Sequence, residues 1–238
     1  MMVKTVMSMA FVMWLSVLFA MPTQKDLDAA SAKVRSMMAG FRSQSEMVQA
    51  DMALQASESA KSEAERLLLI RGAYLKYVRE GAYDKAADVL DVLQVRVLNI
   101  PESYIKELLN KGLDKAPIGN AVRLAEMKKS IEGGIPRVLR CEPANGAFGV
   151  STKTDKIVIW FDRPMSNSCS LCGKPENCPV KTGDTYLDES GRIISIPVTL
   201  VPNKVYRMSL NSKNFKNFKS AADIPLIPYS YGFTTRSY

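Results

Sequence analysis

The chain predicts an α+β protein with its two kinds of structure segregated, an α-helical bundle first and an antiparallel β-sandwich second. From Thr23 to Glu132, apolar residues recur at spacings of three, four and seven. Beyond the breakers Gly133, Gly134 and Pro136 the apolar period falls to two. The 238 residues are 47% hydrophobic and 24% charged, enough for two cores of modest size. The expected division is an export signal at 1–20, a helical domain at 21–132, a linker at 133–136 and a sandwich at 137–238.

The first segment reads as an export signal. Lys4 precedes an apolar run from Val6 to Ala20, and Leu18-Phe19-Ala20 offers a cleavage site. The alternative is an uncleaved anchor. No cysteine lies near the run, which excludes a lipoprotein-type anchor.

Helices follow. Thr23 and Asp26 have capping-box spacing. Leu27, Val34, Phe41 and Val48 then recur every seven residues, widened by Met37, Met38 and Met52, as one helix face or a short coiled-coil seam. Gly40 weakens that stripe by about 1 kcal/mol relative to alanine. Residues 53–63 are either an exposed helix or a break, with Ser62 and Glu65 as the next start. Residues 67–93 predict a helical hairpin. Leu68, Tyr74, Tyr77 and Val78 form its first face, Gly81 its stop, and Ala86, Val89, Leu90 and Leu93 the facing stripe. "AYLKYVREGAYDKAADVL" resembles a single tetratricopeptide-like unit. One copy falls short of the three such repeats need, so the expectation is a small bundle. Pro101 suits the first position of a further helix with Ile105, Leu108, Leu109 and Leu113 inward, and a last one covers 120–131.

In the second half, four segments alternate: Ile157–Phe161, Ile194–Leu200, Tyr206–Leu210 and Tyr229–Phe233. "PRVLRCE" adds an opening strand and "DTYLD" a weak extra one. Tyr206, shortly after Pro202-Asn203, occupies the place of a tyrosine corner.

Two stretches resemble the bacterial Ig-like domain family of SbsA type. "PRVLRCEPANGAFGVSTKTDKIVIWFDRPM" (136–165) is similar to the family's opening. "LVPNKVYRMSLNSKNFKNFKSAADIPLIPYSYGFTTR" (200–236) is similar to its close. The resemblance implies an Ig-like sandwich in an exported or cell-surface protein, used as spacer, stalk or interaction module; it implies no activity. "SNSCSLCGKPENCP" departs from the family pattern.

Cys141, Cys169, Cys172 and Cys178 make an even count, which in an exported protein predicts two structural disulfides of undetermined pairing. A four-thiolate metal site, a redox pair and free thiols are the alternatives. Lys213, Phe215, Lys216, Phe218 and Lys219 interleave cations with aromatics as a ligand-contact loop for an acidic polymer, a glycan or a single-stranded nucleic acid. The formal net charge is +8, and residues 136–238 hold 14 basic against 8 acidic groups. In an exported chain this favours anionic envelope polymers over nucleic acid. The chain has no histidine, so no Ser-His or Cys-His dyad and no His-bearing zinc centre is available. No phosphate loop is present.

The expectation is therefore a non-enzymatic exported protein, periplasmic, cell-surface or secreted, without a cofactor. Its partner would be another envelope protein or a cell-wall component, with no nucleic acid, and a membrane only through an uncleaved N-terminal segment. The helical hairpin would supply the protein-binding surface and the sandwich the scaffold. A binder of anionic or glycan polymer and a cysteine-based metal binder are the alternatives.

Overall fold

The computed structural model describes residues 21–97 and 100–237, and the expected export signal lies outside them. Six helices are followed by antiparallel and mixed sheets, so the segregated α+β class holds among the described residues. The chain divides into two compact units, Met1–Lys128 and Lys129–Tyr238.

Helix α1 (Gln24–Met38) begins at the capping box: Thr23 Oγ1 accepts the Asp26 N–H, and the Asp26 carboxylate accepts the Thr23 N–H at 2.9 Å. The seven-residue stripe does not continue as one helix. A 3₁₀ turn spans Ala39–Phe41, and Ser45 starts helix α2 (Glu46–Ala56) by accepting the Val48 N–H at 3.3 Å. Gly40 has low helix propensity and Ser45 offers a new cap, so a break is cheaper than a continuous helix. Val48 is consequently 40% exposed.

Helix α3 (Glu63–Arg79) starts at Ser62, whose Oγ accepts the Glu65 N–H at 3.2 Å. The Glu65 side chain reaches back to the Lys61 N–H at 3.1 Å and pairs with Lys33 of α1. Gly81, at φ +72°, ends the segment, and helix α4 (Tyr83–Arg96) returns. Helices α1, α2 and α4 all pack on α3. Its buried set is accordingly wider than the expected face: Leu67, Leu69, Ile70 and Ala73 are buried with Tyr74, Tyr77 and Val78, while Leu68 is only half-buried.

Helix α5 (Glu102–Leu113) uses Pro101 as its N-cap, one residue before the position expected. The Tyr74 hydroxyl donates to the Leu108 carbonyl at 2.6 Å. Only glycine fits at 112, where a Cβ would collide with that hydroxyl. Helix α6 (Val122–Glu132) ends at Gly133-Gly134, with Gly134 at φ +68°.

The second unit contains two sheets. One runs β1 (Val138–Glu142), β3 (Lys156–Phe161), β7 (Ile193–Thr199), β5 (Val180–Lys181), with β6 (Tyr186–Leu187) also on β7. The other runs β2 (Ala147–Val150), β9 (Tyr229–Thr235), β8 (Val205–Leu210), β4 (Leu171–Cys172). All pairs are antiparallel except β2 with β9. The sheets share one core: Ile157, Ile159 and Phe161 with Ile194, Ile196 and Val198 from the first, and Tyr206, Met208, Leu210, Tyr231 and Phe233 from the second. The Tyr206 hydroxyl accepts the Val201 N–H at 2.9 Å, closing the corner expected there. Buried Asp162 accepts the Arg137 N–H at 2.9 Å and pairs with the guanidiniums of Arg137 and Arg163, which fixes the entry to β1 against the end of β3.

Candidate functional site

Three features of the second unit bear on function. The first is the connection from β8 to β9, residues 211–228. Asn211 organises it from a buried position at φ +62°. Its Nδ2 donates to the Phe218 carbonyl at 2.8 Å and the Leu226 carbonyl at 3.0 Å, and its Oδ1 accepts the Phe218 N–H at 2.8 Å. The Ser212 N–H donates to the Phe215 carbonyl at 2.7 Å, closing the tip. One side chain thus pins both strands of a long loop.

That clamp sorts the expected ligand-contact residues. Phe218 is corrected: it is 0% exposed, its ring 5.9 Å from that of Phe161, so it is core and cannot meet a ligand. Lys219 is half-buried and paired with Asp223 at 2.9 Å. Lys213, Phe215 and Lys216 face outward, with Phe215 62% exposed. The loop therefore holds one aromatic and two lysines in a fixed, solvent-facing arrangement.

The second feature is the cysteine set. All four thiols are free in this structure. Cys141 is buried on β1, and burial pushes its thiol up to about 12. Cys169 is half-buried, its Sγ 3.3 Å from Thr185 Oγ1. Cys172 ends β4, and Cys178 follows the 3₁₀ turn Pro175–Asn177. A Cβ on Gly173 would lie 2.9 Å from Cys178 Sγ, so this sulfur packs against the residue that follows Cys172. Burial first, and the Cys172 thiol second, push the Cys178 thiol above its usual range. Among the described residues no group of three or more Cys, Asp or Glu is placed to hold a metal.

The third feature was not read from the sequence. An open groove of about 580 Å³ lies beside β8 and β9, bordered by the β4 segment and the 143–146 turn. Lys174, Asn177, Arg207, Ser230 and Gly232 line it, and no acidic side chain does. Lys174, Arg207 and Ser230 are exposed. Gly232 is required in its bed, since a Cβ there would sit 2.6 Å from the Tyr206 carbonyl. Gly173 lies less tightly against β8, its would-be Cβ 3.2 Å from the Arg207 carbonyl. Asn145 fixes the opposite wall: its Nδ2 donates to the Ser230 carbonyl and its Oδ1 accepts the Gly232 N–H, both at 3.0 Å. The outward alternation of Val205, Arg207 and Ser209 was the available signal.

No family model matches the chain, and no curated protein does. Among solved structures, the crystal structure of the S-layer protein rSbsC(31-844) is 14% identical at a TM-score of 0.30, covering 89% of this chain and 33% of that one. The surface layer protein SbsC, domains 1-6, is 12% identical at 0.30, covering 88% and 32%. CopC from Methylosinus trichosporium OB3b is 12% identical at 0.31, covering 43% of this chain and 95% of its own. The chain thus spans about a third of the length of the two surface-layer structures. Likeness at this level says nothing of what the chain does. Among the described residues no helix is long and apolar enough to cross a membrane.

Proposed function

We propose that the protein is an exported, non-enzymatic envelope protein, a structural or interaction module whose second unit is an Ig-like sandwich of SbsA type. The observation that carries this reading is the Asn211 clamp. It consumes a buried amide to immobilise a loop whose outward residues, Lys213, Phe215 and Lys216, take no part in the core. An aromatic flanked by cations on a pinned backbone spares part of the ordering cost of binding a partner. The helical hairpin is less suited to this role, because α3 uses its apolar residues against α1, α2 and α4. The Lys4 and Val6–Ala20 pattern supports export.

The test is retention of the full chain on the envelope fraction of its own producing cell, followed through salt washes. Phe215→Ala is expected to abolish the salt-resistant part, and Lys213→Ala with Lys216→Ala to reduce retention chiefly at low salt. Recovery of the chain in the cytoplasmic fraction, or equal retention of all variants, would sink the reading.

A further inference from the structure

We propose that the groove beside β8 and β9 is a binding site for a short segment of acidic glycan. Its two cations, Lys174 and Arg207, have no acidic partner among the described residues, and no carboxylate lines the groove to neutralise them. Such a pair attracts anions, and the planar fork of arginine matches a carboxylate in a bidentate pose. The unit's excess of basic residues, 14 against 8 in 136–238, extends that attraction beyond contact range.

Charge alone would not select a sugar; the rest of the lining does. Gly173 and Gly232 bring their chain segments close against the β8 backbone on either side of Arg207, so backbone rather than side chains flanks that guanidinium. Asn177 and Ser230 stand at the sides with side chains that have no hydrogen-bond partner among the described residues. They supply the donors and acceptors that ring hydroxyls need. The groove is open to solvent, so a segment of a longer polymer can lie in it. Asn145 holds the wall in place before any ligand arrives, leaving chiefly the Lys174 and Arg207 side chains to be ordered at binding. A uronate-type sugar, with one carboxylate and several hydroxyls per ring, fits all of these features. An acidic peptide meets the cations but brings no ring hydroxyls to Asn177 and Ser230.

The test is titration calorimetry of the full chain with an oligogalacturonate, its methyl-esterified form and polyglutamate as probes. The oligogalacturonate is expected to bind, and the ester and polyglutamate to bind far more weakly. Arg207→Gln and Lys174→Gln should each weaken binding about tenfold, the loss typical of a hydrogen bond to a charged group. Lys156→Gln, an exposed cation of the other sheet, should leave it unchanged. Absence of oligogalacturonate binding, equal binding of polyglutamate, or equal losses at Lys156 and Arg207 would each overturn the assignment. Phe215→Ala should bind the probe as the parent does, so failure here and failure of the loop reading are distinguishable.

Discussion

Replacing Asn211 with glycine isolates what one side chain does for the presenting loop. Its φ of +62° suits glycine without strain, so the exchange removes the amide and leaves the backbone free to keep its path. Three hydrogen bonds are lost. The Phe218 carbonyl keeps a partner, the Leu226 N–H at 2.8 Å. The Phe218 N–H and the Leu226 carbonyl keep none from Asn211, and these residues are 0% and 4% exposed. Each buried polar group left unsatisfied costs about 1–3 kcal/mol. Glycine's greater freedom in the unfolded chain adds up to about 1 kcal/mol. The expected destabilisation of the sandwich is thus about 2–7 kcal/mol, a large part of the stability of an ordinary domain. Urea unfolding followed by fluorescence reads it directly, because Trp160 on β3 is the only tryptophan among the described residues. Hydrogen exchange at the Phe218 amide should accelerate in parallel. A loss below about 0.5 kcal/mol, the scatter of neutral surface changes, would refute the clamp. So would an unchanged Phe218 exchange rate.

Two further outcomes follow from groups with displaced pKa values. Glu65 is held below the usual glutamate range, first by the hydrogen bond from Lys33 and next by the Lys61 N–H. A carboxyl whose folded value is lowered stabilises above its ordinary value and loses that contribution as pH falls through the folded one. Glu65→Gln should therefore lower the helical unit's melting temperature at neutral pH, with the gap closing below the ordinary glutamate range; a gap that persists in acid would refute the linkage. Among the thiols, we propose that Cys172 and Cys178 join as the first disulfide when the chain is oxidised by a small disulfide such as oxidised glutathione, which takes up the two electrons and two protons. Cys141, buried and raised to about 12, should be the slowest to alkylate in the folded chain. Peptide mapping that finds Cys141 alkylated first, or Cys172 joined elsewhere, would refute this order.

What could be read in the sequence was what neighbouring residues decide. Thr23, Ser62 and Gly81 act within one turn of their own position, and each marks a helix boundary. The long strands announce themselves through alternation, because each has one face on the common core. The stripe from Leu27 to Val48 misled for a related reason. A seven-residue spacing survives across a break just as it does along a helix, and only the Ser45 cap separates the two cases. Phe215 and Phe218 look alike in sequence. Their opposite fates are set by Asn211, which reaches the Phe218 backbone through the fold.

The groove lay further out of reach, and the reason is topological. Its lining comes from four separate stretches, near Asn145, Lys174, Arg207 and Ser230. Those stretches meet through β2, joined to β9 by two register pairs, and β4, two residues long and joined to β8. Strands this short carry almost no periodic signal, and Gly149 at φ +69° interrupts β2 further. Their pairing is instead held by local fits such as Asn145 on the Gly232 amide and Gly173 against the β8 backbone. The β4 segment and the turn that leads into β2, which escape pattern reading, thus border the groove, where ligand choice would be decided, while the readable strands β8 and β9 provide its bed.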